Sequence, residues 1–475
     1  MGWAADEFKE IKLGDKRLDK RMIKLCDTLS ESPESPINQA CEDWGETKAA
    51  YRFFNNKNVD SEKILSVHRT KTAERATKEE TILVAQDTSY FIYSNHVKTK
   101  GLGDIGYKKG NNDEKIYSKG LVMHASLALT TSGTPLGLID QEIFARQSNP
   151  ENQKDNRGLL PVEKKESFRW IKALQATMNT SVGKQVITIC DRECDFYDFF
   201  KAAKKENASV LVRASQNRTV NRKKRWEQDV VKLWDLLESQ NSSGSYTVEV
   251  STRVKKGHCK GRIGRSAEID IKFTSFKMNP PKGNPKHGTQ ALPDVTMYAI
   301  HALEQFPPEG ETPIEWMLLT NIPVTTLDEA KEKIHWYSMR WRIEMFFKIL
   351  KSGFKVESCR LGESKRLIRY LTVMSIIAWR LFMITLIART DPTISCSIFL
   401  SESEWKVLGR KMLHQNISSK PPTISEAVIL IAKLGGFLAR KSDGSPGTLV
   451  LWRGWKKLID LAEGWELARQ SDTCG

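Results

Sequence analysis

Two short runs constrain this chain more than any others: Thr81-Ile82-Leu83-Val84-Ala85-Gln86-Asp87 and Lys184-Gln185-Val186-Ile187-Thr188-Ile189-Cys190-Asp191. Each is a β-branched, nearly continuous apolar stretch, the pattern of a strand buried on both faces, and each delivers an aspartate at its carboxyl end. Helical patterns surround them at 60–77, 166–178 and 195–205, and strand patterns follow at 208–213 and 314–321. The pattern is that of an α/β fold, and α/β sheets place ligands at the carboxyl ends of their strands. One aspartate at a strand end is usually a turn or cap residue. Two on strands of one sheet point to a site.

A third carboxylate sits in Tyr337-Ser338-Met339-Arg340-Trp341-Arg342-Ile343-Glu344-Met345-Phe346-Phe347-Lys348-Ile349-Leu350-Lys351. This stretch lacks Gly and Pro, and its apolar positions recur with helical period, so we read it as one helix. Tyr337, Arg340, Glu344, Lys348 and Lys351 then share one side, and Met339, Ile343, Phe346, Phe347 and Leu350 another. A carboxylate among cations can be an ordinary surface ladder of i,i+4 ion pairs. The cations outnumber it here, which suits a polyanion lying along the helix and leaves Glu344 for a metal ion.

The net charge of +16 and a pI near 9.3 favour a polyanionic partner, nucleic acid ahead of an acidic membrane surface. With 475 residues, 40% of them hydrophobic, two to four domains and a sizeable core are expected. The eight cysteines show no disulfide-framework spacing, so a reducing cytoplasm is the expected compartment. Cys190 and Cys194 lack the second pair that zinc sites use. No apolar signal core follows Met1. Tyr370 to Ala388 is long enough to suggest a membrane span, but Arg380 interrupts it, and we read it as a buried helix with no membrane partner.

The flanks read as helical. In residues 1–62, Lys16, Arg17, Lys20, Arg21 and Lys24 form a basic stripe if Lys16 to Leu29 is a helix capped by Asp15. Either a solvated face or a DNA-reading surface fits. The acids of this region are dispersed whereas the bases are stacked, which favours DNA. Residues 98–118 read as a loop. Gly120 to Thr131 and Pro135 to Phe144 form a hairpin, and 147–165 is polar and loop-like. Residues 214–312 form a β-rich insertion with strands at 246–254, 266–275 and 295–304 and a Gly-spaced basic loop at 255–265 suited to a phosphate backbone. From 363 to 475 the chain is helical, and Ile431 to Phe437 with Trp452, Trp455 and Trp465 suggests apolar surface for packing or self-association.

Asp87, Asp191 and Glu344 are the hard oxygen donors needed to hold two Mg²⁺ ions, with Mn²⁺ able to substitute. Asp87 would bridge the ions, and Asp191 and Glu344 would each complete one. Such a site supports in-line phosphodiester chemistry without a covalent enzyme intermediate.

These residues resemble a known family, the bacterial DDE cut-and-paste transposases of the insertion-sequence-four family, Tn-five group. The resemblance is carried by Asp87, by Cys190-Asp191-Arg192-Glu193, and by a Y-(2)-R-(3)-E-(6)-K signature at Tyr337, Arg340, Glu344 and Lys351. Weaker matches run nearly end to end, including Leu13-Gly14-Asp15-Lys16-Arg17, Ala50-Tyr51-Arg52-Phe53, Trp316-Met317-Leu318-Leu319-Thr320 and Leu434-Gly435-Gly436-Phe437. The first basic motif departs from the group's pattern at Leu18, where a second arginine is expected. The resemblance implies an RNase H-like catalytic core over 63–362, an N-terminal domain at 1–62 that binds transposon ends, and a helical dimerisation domain at 363–475. It also implies a homodimer that synapses two double-stranded DNA ends, cuts them through a hairpin intermediate and joins the 3′ ends to target DNA. Trp316 matches the tryptophan that stacks on a flipped base, and Tyr337, Arg340 and Lys351 match residues that hold phosphates. We place Lys348, Arg213, Lys16, Arg17, Lys20 and Arg21 with them as DNA-binding residues. A two-metal nuclease that never joins strands and a catalytically silent binder of DNA ends are the competing readings.

Overall fold

The computed structural model describes residues 3–41, 43–109, 114–146, 160–180, 185–222, 230–250, 252, 261–280, 293–413, 420–440 and 443–472. Helix starts follow the sequence signals closely. After a short α1 (Trp3–Glu7), α2 (Lys16–Glu31) begins at Asp15, whose Oδ1 accepts the Arg17 N–H at 2.8 Å. The Pro-rich break leads to α3 (Ile37–Ala40), and Asp43 and Asp60 cap α4 (Trp44–Asn55) and α5 (Ser61–Ala76) in the same way.

Next come β1 (Thr81–Ile92), β2 (Gly103–Lys109), β3 (Lys115–Thr130) and β4 (Pro135–Phe144). The hairpin expected at 120–144 is present as β3 and β4. Residues 98–118, read as a loop, hold β2 and the start of β3 instead. Their Gly, Lys and Asn content masked the alternation in the sequence. Then follow α6 (Phe168–Asn179), β5 (Gln185–Cys190), α7 (Tyr197–Lys205), β6 (Ser209–Arg213), β7 (Thr219–Val220), β8 (Val231–Lys232), α8 (Leu233–Glu238), β9 (Gly244–Val250), β10 (Arg265–Met278), β11 (Val295–Glu304) and β12 (Glu315–Thr320). The polar stretch 147–159 and most of the basic loop, 253–260, lie outside the described residues.

The predicted helix over Tyr337–Lys351 is two helices. A Thr326 capping box starts α9 (Leu327–Ser338), the chain turns at Met339 and Arg340, and α10 (Trp341–Lys348) runs into one π-helical turn at Ile349–Gly353. Helical period survives a turn of this size, so the break is invisible to periodicity. Four helices complete the chain: α11 (Ser364–Thr390), α12 (Glu402–Leu413), α13 (Ile424–Leu434) and α14 (Thr448–Asp472).

The chain divides into two units, one of Met1–Glu79, Thr88–Ser148 and Arg342–Gly475, the other of Glu80–Asp87 and Asn149–Trp341. In the first, α11 is the centre. It is long and apolar enough to cross a membrane by length and composition, yet 83% of its most apolar window is buried in the protein. Trp379 donates to the Pro135 carbonyl at 3.1 Å, and Ser375 accepts from Gln141 at 2.8 Å. Trp452 and Trp455 are also internal: Trp452 packs on Phe354 and donates to Glu34, and Trp455 packs on Phe399. Of the two uses the sequence left open for these tryptophans, packing or self-association, the structure shows packing within the chain.

In the second unit the start of β1 is parallel to β5, β5 is parallel to β6, and β12, β11 and β10 follow antiparallel to their neighbours. The result is a mixed sheet, and the β-rich block of 214–312 extends it through β11. Trp170, Leu174, Phe199, Phe200, Val210, Val212, Leu233 and Phe276 form a contiguous apolar cluster with the sheet residues Met297 and Leu319. That cluster holds the strand ends in place.

Candidate active site

The register of β1 against β5 pairs Thr81 with Gln185 and Ala85 with Ile189. That pairing ends at Ala85 opposite Ile189, two residues before Asp87 on one strand and two before Asp191 on the other, so both aspartates follow the paired segment at the same end. Cys190 Sγ lies 4.0 Å from Gln86 Oε1 one step earlier, as this register requires. Asp87 is not the end of its strand, since β1 runs on to Ile92. It is the point at which pairing with β5 has stopped. Asp191 caps the 3-10 turn Arg192–Cys194, its Oδ1 accepting the Glu193 N–H at 2.9 Å. Burial raises the Asp191 pKa, and the Glu193 hydrogen bond and the charges of Arg340, Arg169 and Arg192 oppose that rise.

Arg340, in the turn between α9 and α10, places Nη1 3.3 Å from Asp87 Oδ2. Its guanidinium also lies 6.0 Å from the Tyr337 ring centroid. Tyr337 is buried, which raises its hydroxyl pKa, and its ring meets Trp316 edge to face at 5.7 Å. Four sequence-predicted residues, Asp87, Arg340, Tyr337 and Trp316, thus form one connected series of contacts.

Trp316 lines a cavity of about 810 Å³ together with Arg192, Arg213, Tyr246, Arg262 and Lys331. Arg213 donates from Nη2 to the Glu315 carbonyl at 3.0 Å. Its buried Nε has no hydrogen-bond partner among the described residues, and burial and then Arg192 lower its pKa. A half-buried guanidinium whose Nε is left without a hydrogen-bond partner among the described residues is suited to a phosphate. Asp195, also at this end of the sheet, has a different job: its Oδ2 accepts the N–H groups of Ser215 and Gln216 at 2.7 and 3.1 Å, and Arg218 pairs with Oδ1. It holds the loop that follows Arg213.

Glu344 stands in the first turn of α10, in the other unit, where Lys351 Nζ lies 5.3 Å from the Phe91 ring centroid and Lys348 is exposed. With the chain turning at Arg340, Tyr337 no longer shares a helix with Glu344. Among the described residues no three His, Cys, Asp or Glu side chains are grouped as a metal site. On the N-terminal stripe, Lys16, Arg17 and Lys20 are exposed, whereas Arg21 and Lys24 (the latter at 2.9 Å) both pair with Glu46. The dispersed acids of the sequence include this one, which the fold sets against the stripe.

Residues 1–59 match the transposase DNA-binding family, 90–379 the transposase DDE domain, and 376–475 the transposase Tn5 dimerisation domain. The chain belongs to the DDE transposases. The three matches in this order make it Tn5-like, and its mixed sheet with helices is the family's RNase H-like core. The transposase is a DNA-binding, dimerising protein, and its DDE domain is that of a metal-dependent nuclease or transposase whose family uses divalent metal ions. The DDE match begins three residues after Asp87, so it is the pairing of β1 with β5, not the match, that brings Asp87 to the same end of the sheet as Asp191.

Arg192, Lys331 and Tyr246 join the cavity without having stood out in the sequence as DNA-binding residues, whereas Arg262 belongs to the basic loop at 255–265. Arg192 carried a signal, being adjacent to Asp191. Tyr246 and Arg262 lie on or beside β strands of the insertion, and only strand pairing brings them to Trp316.

Proposed function

We propose that the transposase binds inverted-repeat ends as a dimer, cleaves them by hydrolysis and transesterification through a hairpin, and joins the 3′ ends to target DNA on the bacterial nucleoid. The observation that supports this best is the pair of aspartates following the same end of two parallel strands, with Arg340 on Asp87 and a basic, tryptophan-bearing cavity in the same unit.

The donor set fits a hard divalent cation. Asp87, Asp191 and Glu344 offer only carboxylate oxygens, and Cys190 is directed into the core. These three would hold Mg²⁺ or Mn²⁺, two ions per site, which when bound supply an activated nucleophile and charge neutralisation at phosphorus. Arg340 orients Asp87. Arg213 and Arg192 bind the phosphates on either side of the scissile bond. The Trp316 indole, braced by Tyr337, stacks on a base taken out of the duplex at the hairpin turn, offsetting the cost of unstacking. Lys348 and Lys351 follow the backbone from α10.

Glu344→Gln tests the reading. This variant keeps its affinity for end DNA and loses cleavage in Mg²⁺; cleavage at the wild-type rate removes Glu344 from the metal set. Transfer of labelled 3′ ends to a plasmid separates a transposase from a nuclease that only hydrolyses.

A further inference from the structure

Strand β3 is far longer than the strands beside it. Its pairing with β4 covers Val122 to Leu129, β1 stops at Ile92, and the Tyr93 N–H donates to the Lys119 carbonyl at 2.8 Å. Beyond Lys119 the chain pairs with β2 alone, from Gly106 opposite Ser118 to Lys109 opposite Lys115. The result is a two-stranded ribbon extending past the other strands of its unit. Its root is fixed: the Lys100 N–H donates to the Gly362 carbonyl at 3.0 Å, and the Ser364 N–H donates to the Lys100 carbonyl at 2.9 Å. Gly101, at φ +79°, permits this approach, since a Cβ there would lie 2.5 Å from Ser364 Oγ.

Such a ribbon has little stability of its own, yet it presents large apolar side chains to solvent. Tyr107 and Tyr117 are direct cross-strand partners with ring centroids 5.8 Å apart, and they are 53% and 48% exposed. Ile116, next to Tyr117 and so on the other face, is 59% exposed. Residues 98–119 carry six lysines against three acids, and one acid, Asp104, is held by Lys119 at 2.7 Å. Paired aromatic planes in a lysine-rich segment are the elements used to grip nucleic acid, and a two-stranded ribbon fits the major groove, which is about 12 Å wide.

We propose that the β2–β3 ribbon is a second DNA-contacting arm, distinct from the N-terminal DNA-binding domain, which enters a groove of duplex DNA with Tyr107 and Tyr117 against the sugars and base edges. The proposal rests on the chain's being a DNA-acting protein and not on the metal site or the hairpin.

The test uses the full chain and a fluorescently labelled 40-base-pair duplex, with affinity read by anisotropy. Two double variants are compared: Tyr107→Ala with Tyr117→Ala, and Tyr107→Val with Tyr117→Val. The valine pair keeps strand propensity and cross-strand packing and removes only the aromatic planes. Both variants are expected to bind about tenfold more weakly than wild type while melting at the wild-type temperature. Binding at wild-type strength by both overturns the arm. Weakening confined to the alanine pair also overturns it, since the rings then serve only the ribbon's own stability. A loss of self-association in the absence of DNA, with duplex affinity unchanged, assigns the ribbon to a protein contact instead. Failure of the wild-type chain to bind any duplex removes the DNA reading itself along with the arm.

Discussion

Two basic regions of the transposase are built on opposite principles. On α2 the bases are stacked along a helix, and part of the stripe is neutralised inside the fold, because Glu46 of α4 takes both Arg21 and Lys24. Around Trp316 the bases come from separate strands and helices, and Arg213 keeps a buried Nε without a partner among the described residues. The first arrangement can rest as it is. The second holds positive charge in a partly dehydrated place, which is costly until an anion arrives. Charge paired inside the fold should therefore register as stability, and the charge gathered around Trp316 should register as DNA affinity and catalysis.

The largest effect expected on the catalytic side comes from Asp191→Asn. Cleavage of a pre-formed end complex should fall more than about a hundredfold, since removing even an outer partner of a metal ligand costs ten- to a hundredfold. The melting temperature should hold or rise, because burial already disfavours the Asp191 carboxylate. A large fall in melting temperature would break the comparison.

The next effect lies wholly on the stability side. Glu7 is buried between His68 and Arg75: His68 Nδ1 donates to its Oε1 at 2.5 Å, Arg75 Nη1 donates to Oε2 at 2.8 Å, and His68 Nε2 accepts the Leu138 N–H at 2.9 Å. Burial would raise the Glu7 pKa, but His68 and Arg75 outweigh it and hold it at about 2, against 4.5 unperturbed. Burial lowers the His68 pKa below its ordinary 6.5, with Glu7 opposing. Both folded values lie below the unfolded ones, so the unfolded chain binds protons first. Stability is complete above pH 6.5 and is lost as pH falls, through His68 first and then through Glu7 below pH 4.5. Glu7→Gln should cost about 3 kcal/mol at pH 7, as expected for breaking a buried pair, and should flatten the acid limb in thermal melts. Its DNA affinity should not change.

Arg213→Ala should weaken DNA binding about tenfold and reduce the slope of log K against log salt by about one, the loss of a single phosphate contact. An unchanged slope would mean that this arginine serves the fold.

The smallest effect belongs to Glu46→Gln, which frees Arg21 and Lys24. Non-specific DNA binding should tighten by a few-fold at low salt, and the gain should vanish as salt screens it. Arg21→Ala should lose affinity for ends while cleaving pre-nicked ends in part. Equal affinity in both variants would remove the stripe from DNA recognition.

Much of this was legible in the sequence because it depends on near neighbours. Asp15, Pro33 and Pro36 mark where α2 begins and stops, and the two apolar runs with their aspartates predict buried strands of one sheet. The ribbon of β2 and β3 was not legible, because turn-forming residues dilute its alternation. The break at Met339 and Arg340 was not legible either, because both helices keep their apolar residues in period across the turn.

By itself the sequence determined which residue types stand where, since carboxylates after apolar runs and a Tyr, Arg, Glu, Lys series are visible at fixed spacings. Only the tertiary structure decided how they are used. The β1 to β5 pairing brings Asp87 and Asp191 to the same end of the two strands, the turn before α10 brings Arg340 to Asp87, and Glu46 closes on Arg21 while Arg213 Nε has no hydrogen-bond partner among the described residues. Pairing across 104 residues of chain depends on sheet register and core packing, which neither residue spacing nor local propensity encodes.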